Sequence, residues 1–336
     1  GVHEYHLIGS VLAAAFGDEV STAPNLDESL YLGRILSTPG HYAYLKIAEG
    51  CDKKCTYCTI PAIRGPYKSR TLESLVEEAA GLAGRGVKEL VLVAQDTTLY
   101  GTDIYGRQAL HELLQELSKI DGIRWLRLLY CYPEHIYDDL IAEMARNPKV
   151  LPYVDMPIQH ASDHILRLMG RQSSQDDLRA VISNLRNAIP GVTLRTTLIA
   201  GFPGETKEDF TALCDFVREV RFDHLGVFAY SREEGTPADK LHGHLAQKTK
   251  DARRNRLMRI QQEISAERLR EKVGNVVEVL VEGVAQDGVH YGRSAAHAPE
   301  IDGLVYISST DAIGVGEMVD VRITDADEYD LMGELE

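Results

Sequence analysis

The chain has 336 residues, enough for roughly two domains at about 150 residues each. Hydrophobic residues make up 44% and charged residues 26%, an ordinary globular composition that excludes disordered and collagen-like chains. The net charge of −15, from 36 Lys and Arg against 51 Asp and Glu, argues against a general nucleic-acid binder and for basic partners.

Residues 1–40 read as a connector, with a short helix over Leu7–Phe16, a turn at Ser21–Asn25 and a stop at Pro39-Gly40. Its longest apolar run, Val11–Phe16, is far below the ~18 residues of a membrane span. No basic segment precedes an apolar one as in a signal peptide, so no membrane is expected. The first residue is Gly, which fits a fragment or a tag scar equally.

From Tyr42 strands and helices alternate. Strands are expected at Tyr42–Ala48, Lys88–Ala94, Trp125–Tyr130, Val150–Met156, Val192–Ala200 and Asp223–Tyr230. Helices are expected at Thr71–Arg85, Arg107–Lys119, Pro133–Arg146, 162–168, 175–188 and Thr206–Val220. Thr71 and Thr206 are expected N-caps, with Asp209 completing a capping box. Most of the strands are continuous apolar runs, hence buried on both faces of a parallel sheet. The fold class is α/β: an open, partial (β/α)6 barrel or a doubly wound sheet, with chemistry at the C-terminal strand ends.

Leu245–Glu271 reads as one long helix with an apolar stripe of Leu257, Ile260, Ile264 and Leu269. Residues 246–272 carry nine basic and four acidic residues, a charge of +5. That is either a solvated face or a contact to substrate or another domain. After Gly274, short strands separated by Gly and Asp read as a small β-barrel. From Arg270 to Glu336 there are four basic and fifteen acidic residues, net −11. This end would repel phosphate; it reads as a solubilising module or a docking surface for a basic protein.

Three of the five cysteines form Cys51-Asp52-Lys53-Lys54-Cys55-Thr56-Tyr57-Cys58, a C-x3-C-x2-C loop just after the first strand. Such a cluster of thiols implies a reducing compartment and a metal site rather than disulfides. Three thiolates can hold three corners of a cubane iron–sulfur cluster and leave one iron open. Structural zinc is the competing reading, but it wants four closed ligands, usually in C-x2-C pairs. Cys131 and Cys214 read as ordinary small buried residues.

The cysteine loop, with Tyr57 before its last Cys, resembles the radical S-adenosylmethionine (SAM) superfamily. The segments EGCDKKCTYCTIPAIRGPYKSR, LVAQDTTLYG, MPIQHASD, LRTTLIAGFPGET and FAYSREEGTPA are similar to its methylthiotransferase branch, over about residues 42–334. The resemblance implies a radical SAM core at 41–244, a connecting helix at 245–271 and an OB-like TRAM barrel at 272–336, after a remnant at 1–40. It implies a cytoplasmic transferase that places a methylthio group on the β-carbon of an aspartate through a 5′-deoxyadenosyl radical. The aspartate belongs to the twelfth small-subunit ribosomal protein, a basic partner; the acidic barrel disfavours the branch that modifies tRNA adenosine. A non-enzymatic RNA-binding scaffold is a further alternative, though a scaffold has no need of the three-cysteine loop. By the same resemblance Cys51, Cys55 and Cys58 hold one [4Fe–4S] cluster. Tyr57 lies near the adenine, and Gln95, Asp96, Gln159, His160 and Arg195 are candidate SAM contacts. The glycines of Gly201–Thr206 let backbone approach the adenine; the motif lacks the Lys-Ser/Thr of a phosphate loop. Ser162 is a similar candidate, and Arg64 and Arg70 either tune the cluster or pair with acids. An external sulfur donor and a one-electron reductant are required. Full methylthiotransferases carry a second [4Fe–4S] cluster on an N-terminal domain; no cysteine precedes Cys51. This chain is therefore expected to cleave SAM without thiolating substrate on its own.

Overall fold

The computed structural model describes residues 8–16, 34–286 and 288–336. The expected turn at Ser21–Asn25 lies outside the described residues, as does Leu7, the first residue of the expected N-terminal helix. Helix α1 spans Ile8–Phe16.

Six strands form the main sheet: β1 (Tyr42–Lys46), β4 (Glu89–Val93), β5 (Trp125–Leu128), β6 (Val150–Asp155), β7 (Thr193–Ala200) and β8 (His224–Ala229). They lie in strict sequence order, and every neighbouring pair is parallel. A doubly wound sheet would reverse its order at a switch point; this one never does, so it curls as an open six-stranded partial barrel. Helices α3 (Leu72–Gly84), α4 (Leu110–Ser118), α5 (Asp138–Arg146), α7 (Gln175–Ala188) and α8 (Lys207–Val220) alternate with the strands. Their apolar faces join the outward side chains of the strands in one core. Thr71 caps α3 through Ser74 N, and Thr206 with Asp209 forms the expected capping box of α8.

Three elements depart most from the sequence reading, each where other backbone or side-chain groups take up the chain. The first strand stops at Lys46; Ala48–Glu49 (β2) turns away to pair with Lys68–Ser69 (β3). The helix expected from Arg107 starts at Leu110, because Ala109 N donates to Tyr100 O and Gln108 Nε2 donates to the Thr98 and His135 carbonyls. The expected helix Pro133–Arg146 splits into a 3₁₀ turn, Pro133–His135, and α5, with Ile136 and Tyr137 extended between them. His135 is drawn off the helix path by Asp96, 2.9 Å from its Nδ1. Between β1 and β3 lies the short helix α2 (Ile60–Arg64), and α6 (Asp163–Leu168) precedes α7.

The long helix α9 (Gln247–Arg270) lies against β8 and α8. Its stripe of Leu257, Ile260, Ile264 and Leu269 is buried as expected. It leads into a closed five-stranded barrel of β9 (Val276–Val284), β10 (His290–Ser294), β11 (Val305–Ser308), β12 (Met318–Ala326) and β13 (Leu331–Leu335).

This barrel packs under the N-terminal ends of the sheet strands. Leu280 and Ala298 join Tyr42, Val91, Trp125, Leu129, Leu151 and Tyr153 in an interior apolar cluster. A buried ionic knot crosses the junction. Glu89 accepts from Arg127 Nε at 2.6 Å and from Arg293 Nη2 at 2.6 Å, and Arg293 Nε reaches Glu282 at 2.8 Å. Burial alone would raise the Glu89 carboxyl, but the two guanidinium charges hold it below its usual range. The stretch from Ala296 to Asp302 reaches both edges of the open sheet. Tyr42 OH donates to Glu300 at 3.0 Å on the β1 side, and His224 Nε2 lies 2.8 Å from Ala296 O on the β8 side. Glu300 takes a left-handed φ of 68° to do so.

Candidate active site

The cysteine loop leaves the C-terminal side of β1 through Gly50, whose φ of +83° and contact with Pro66 admit no side chain; a Cβ would sit 2.0 Å from Pro66 O. Cys51 N donates to Gly65 O at 3.1 Å, so the loop closes on itself. Its far side is tied to the end of α6. Thr56 N donates to Met169 O at 2.9 Å, and Thr56 Oγ1 to Leu168 O at 2.7 Å. Cys51, Cys55 and Cys58 are all free thiols, the first two buried. Ile60 N donates to Cys58 Sγ at 3.4 Å. Among the described residues no three His, Cys, Asp or Glu side chains converge on one ion site. Mononuclear zinc needs such convergence; a cubane takes each thiolate on a different iron and does not. Three thiols on one loop are a donor set that fits three corners of a cube, one short of the four ligands of structural zinc.

Asp96 follows β4 and is fully buried. The resemblance implies a SAM contact, but both its carboxylate oxygens are already taken. One accepts from Thr98 N at 3.0 Å and from the Thr98 hydroxyl. The other meets His135 Nδ1 at 2.9 Å and Lys53 Nζ at 3.2 Å. Burial would raise this carboxyl; the His135 bond and the Lys53 charge outweigh it and hold it low. Lys53 sits inside the cysteine loop and also lies over the Tyr132 ring, 3.9 Å from its centroid. Asp96 is thus the clamp that fixes the loop to the barrel. Asp96→Asn is expected to keep the fold and lower iron affinity about 10–100-fold, as loss of an outer partner of a metal site does; iron per chain after dialysis against a chelator measures it.

Arg195 is likewise engaged inside the barrel. It pairs with Asp155 at 2.8 Å and with Asp302 of the terminal barrel at 3.5 Å. A ligand carboxylate would therefore meet a guanidinium already paired with Asp155 in the sheet and Asp302 of the terminal barrel. Gly201 has the positive φ expected of its motif, but its open side faces α9; a Cβ would lie 2.6 Å from Lys250 Cγ. Gly201 N and Phe202 N both donate to Glu205, which in turn binds Arg253 of α9. The motif's glycine thus makes room for α9 at Lys250. Ser162 donates to Asp209. Arg64 reaches Glu49 at 3.5 Å and Arg70 pairs with Glu78, which resolves their alternatives in favour of acid pairing.

Other candidates remain open to a ligand. Gln95 Oε1, Tyr57 OH and His160 Nε2 are buried without a hydrogen-bond partner. Each such group costs about 1–3 kcal/mol while unmatched, so a polar ligand arriving there would gain it back. The Tyr57 ring packs edge-on against Phe202 at 6.3 Å, which joins the cysteine loop to the Gly201–Thr206 turn. His160 Nδ1 accepts from Ser162 N at 2.9 Å, and its Nε2 stands 3.7 Å from Glu205. Gln159 holds a left-handed φ of 69°, as does Tyr130 at 58°; such backbone costs about 1–3 kcal/mol in non-glycine residues and gathers at functional sites.

The sequence reading missed Tyr132, Glu134 and Arg171. Arg171 is buried, binds Glu134 through two nitrogens at 3.1 and 3.2 Å, and lies 4.3 Å from the Tyr132 ring centroid. Its Nη1 has no partner. Burial opposes its charge, but the Glu134 carboxylate raises its pKa above the ordinary value. No local pattern marks it; an Arg three residues beyond the end of α6 looks like any surface Arg. Cys131 and Cys214 lie in the main core, and burial pushes the Cys131 thiol up to about 12.

Comparison with known proteins agrees with this geometry. The radical SAM superfamily model matches residues 45–217, and the TRAM domain model matches 273–335. The chain is 54% identical over 303 residues to the ribosomal protein uS12 methylthiotransferase RimO of Acetivibrio thermocellus, covering 90% of this chain and 67% of that protein. It is 53% identical to the protein of the same name from Clostridioides difficile, covering 90% and 68%. Identity to the one from Lachnoclostridium phytofermentans is 48% over the whole chain and 77% of the relative. Among solved structures it is similar in fold to coproporphyrinogen III oxidase (HemN) from Escherichia coli, a radical SAM enzyme. The TM-score is 0.52 at 16% identity, over 84% of this chain and 73% of the other.

Proposed function

Because the chain belongs to the radical SAM superfamily, and within it to the RimO family of methylthiotransferases, we propose that it is the SAM-cleaving core of an enzyme that methylthiolates ribosomal protein uS12. The observation that carries the reading is the clamped three-cysteine loop at the C-terminal edge of the sheet, flanked by buried polar atoms without partners. When bound, a [4Fe–4S] cluster with one open iron would supply the electron that cleaves SAM into a carbon radical and methionine.

This chain's own residues do the holding. Cys51, Cys55 and Cys58 supply the three thiolates. Lys53, paired with Asp96, fixes the loop to the end of β4. Gln95, Tyr57 and His160 offer an acceptor, a hydroxyl and an imidazole nitrogen to a polar ligand, and Arg171 a cation for its carboxylate. The terminal barrel packs under the lower end of the sheet.

The substrate reading rests on charge. Of the four basic residues from Arg270 onward, Arg293 is buried against Glu89 and Glu282, and Arg322 is paired with Glu336. Glu282 and Glu336 are their partners, so the acid surplus of the terminal segment stays close to its net −11. A basic ribosomal protein suits that surface, and a tRNA backbone does not. Such a substrate places the enzyme in the cytoplasm.

The sequence has five cysteines, of which Cys131 and Cys214 are packed in the core, so it holds no second cysteine triad for a further cluster. With SAM, a reductant, sulfide and a uS12 peptide under anaerobic conditions, these 336 residues are expected to release methionine while the peptide mass stays unchanged. Mass spectrometry checks both products; a methylthiolated peptide overturns the division of labour, and absence of SAM cleavage overturns the core assignment.

A further inference from the structure

We propose that Tyr130 is a substrate-contact residue whose ring takes a basic side chain of the protein substrate close to the target aspartate. The inference rests on the reading of this chain as the core of a uS12 methylthiotransferase. Tyr130 lies two residues past the end of β5, on the C-terminal edge of the sheet, where the cysteine loop also lies. Its φ of 58° is left-handed, a conformation that crowds the Cβ of a bulky residue and gathers at functional sites.

The side chain repays none of that strain within the protein. Three other non-glycine residues among those described have a positive φ, and each has a local reason. Arg221 closes α8 as a left-handed cap, with its N donating to Val217 O. The Glu300 carboxylate accepts from the Tyr42 and Tyr44 hydroxyls. Gln159 bridges to Leu198 of β7. Tyr130 instead is 49% exposed, although Leu129 and Cys131 on either side are buried. Its ring and hydroxyl have no hydrogen-bond or ring partner among the described residues.

The backbone enforces the conformation. Tyr130 N donates to Asp155 Oδ2 at 3.1 Å, and Tyr130 O accepts from Thr97 N at 3.1 Å and from Thr97 Oγ1 at 3.2 Å. Asp155 is itself held by Arg195, and Thr97 follows Asp96, which clamps Lys53 of the cysteine loop. Leu129 belongs to the interior cluster and Cys131 to the outer core, so the ring between them stands out from the edge. A tyrosine fixed at its backbone and free at its ring offers a partner a large contact area at low entropic cost, as interface anchors do. The face of the ring attracts cations, which suits the basic substrate favoured by the acidic terminal barrel.

The test is the Kd of a uS12 peptide carrying the target aspartate, measured by calorimetry on the anaerobically reconstituted chain with SAM. The unaltered chain, Tyr130→Phe and Tyr130→Gly are compared, and thermal unfolding of each is followed. Tyr130→Gly is expected to weaken the peptide about tenfold and to raise the unfolding midpoint, because glycine takes a φ of 58° without strain. Tyr130→Phe keeps the ring face and should stay within about threefold of the unaltered Kd. A residue that only served the fold would give the opposite stability result, so a lower midpoint in Tyr130→Gly overturns the proposal. Equal weakening in Tyr130→Phe overturns recognition by the ring face. Peptide binding that survives Tyr130→Gly overturns the contact alone. Failure of the unaltered chain to bind the peptide overturns the substrate reading, and this contact with it.

Discussion

Replacing Cys51, Cys55 or Cys58 by alanine is expected to take the reconstituted chain from about four irons to near none and to abolish SAM cleavage. In the proposed reading each thiol would be the sole protein ligand to its iron, with no neighbour to substitute for it. The loss should exceed the 10–100-fold that removal of an outer partner costs a metal site. Cys131→Ala and Cys214→Ala are the matched controls, since both thiols lie in the apolar core. They should keep the iron and lose only packing. Iron and sulfide analysis with the visible absorption spectrum decides the matter. Equal iron in a Cys55→Ala variant would mean that the loop does not hold a cluster. Zinc bound in place of iron in the unaltered protein would favour a scaffold.

The second large effect falls on stability. Glu89→Ala leaves Arg127 and Arg293 buried with no carboxylate between them; both are essentially unexposed. Breaking a buried pair from one side costs about 3–5 kcal/mol, and here two cations lose the same partner. Desolvated guanidinium groups cannot shed their charge, so relief must come from movement of the terminal barrel off the sheet. Denaturant unfolding should show a lower midpoint together with a second transition as the two parts uncouple. The triple change Glu89→Leu, Arg127→Met, Arg293→Leu is the informative companion. It removes charge and desolvation together and should recover most of the loss. If Glu89→Ala unfolds at the original midpoint, the knot contributes nothing to the junction.

What could be read from the sequence was what depends on near neighbours. Continuous apolar runs such as KELVLVA mark strands because burial on both faces leaves no alternation. The capping box at Thr206 and Asp209 is legible because its partners are three residues apart. The cysteine loop is legible for the same reason. Contacts made across the fold left no such trace. Asp96 looked free because His135 is 39 positions away and reaches it only after leaving the helix that periodicity assigned to it. The partners of Arg195 left no trace because Asp155 lies 40 positions away and Asp302 belongs to another domain. Gly201 announced its backbone freedom but not that α9 would occupy the space beside it. Tyr132 and Arg171 had no signal at all, since a stacked ring and guanidinium carry no fixed spacing.

The stretch from Ala296 to Asp302 that joins the two edge strands at the base has a kinetic consequence. It lays the terminal barrel's chain across the N-terminal ends of the strands, so a ligand of the cysteine loop is approached from their C-terminal side. A protein substrate settling over that side would cover any small cofactor already bound there. The cofactor is then expected to add first and its fragments to leave last.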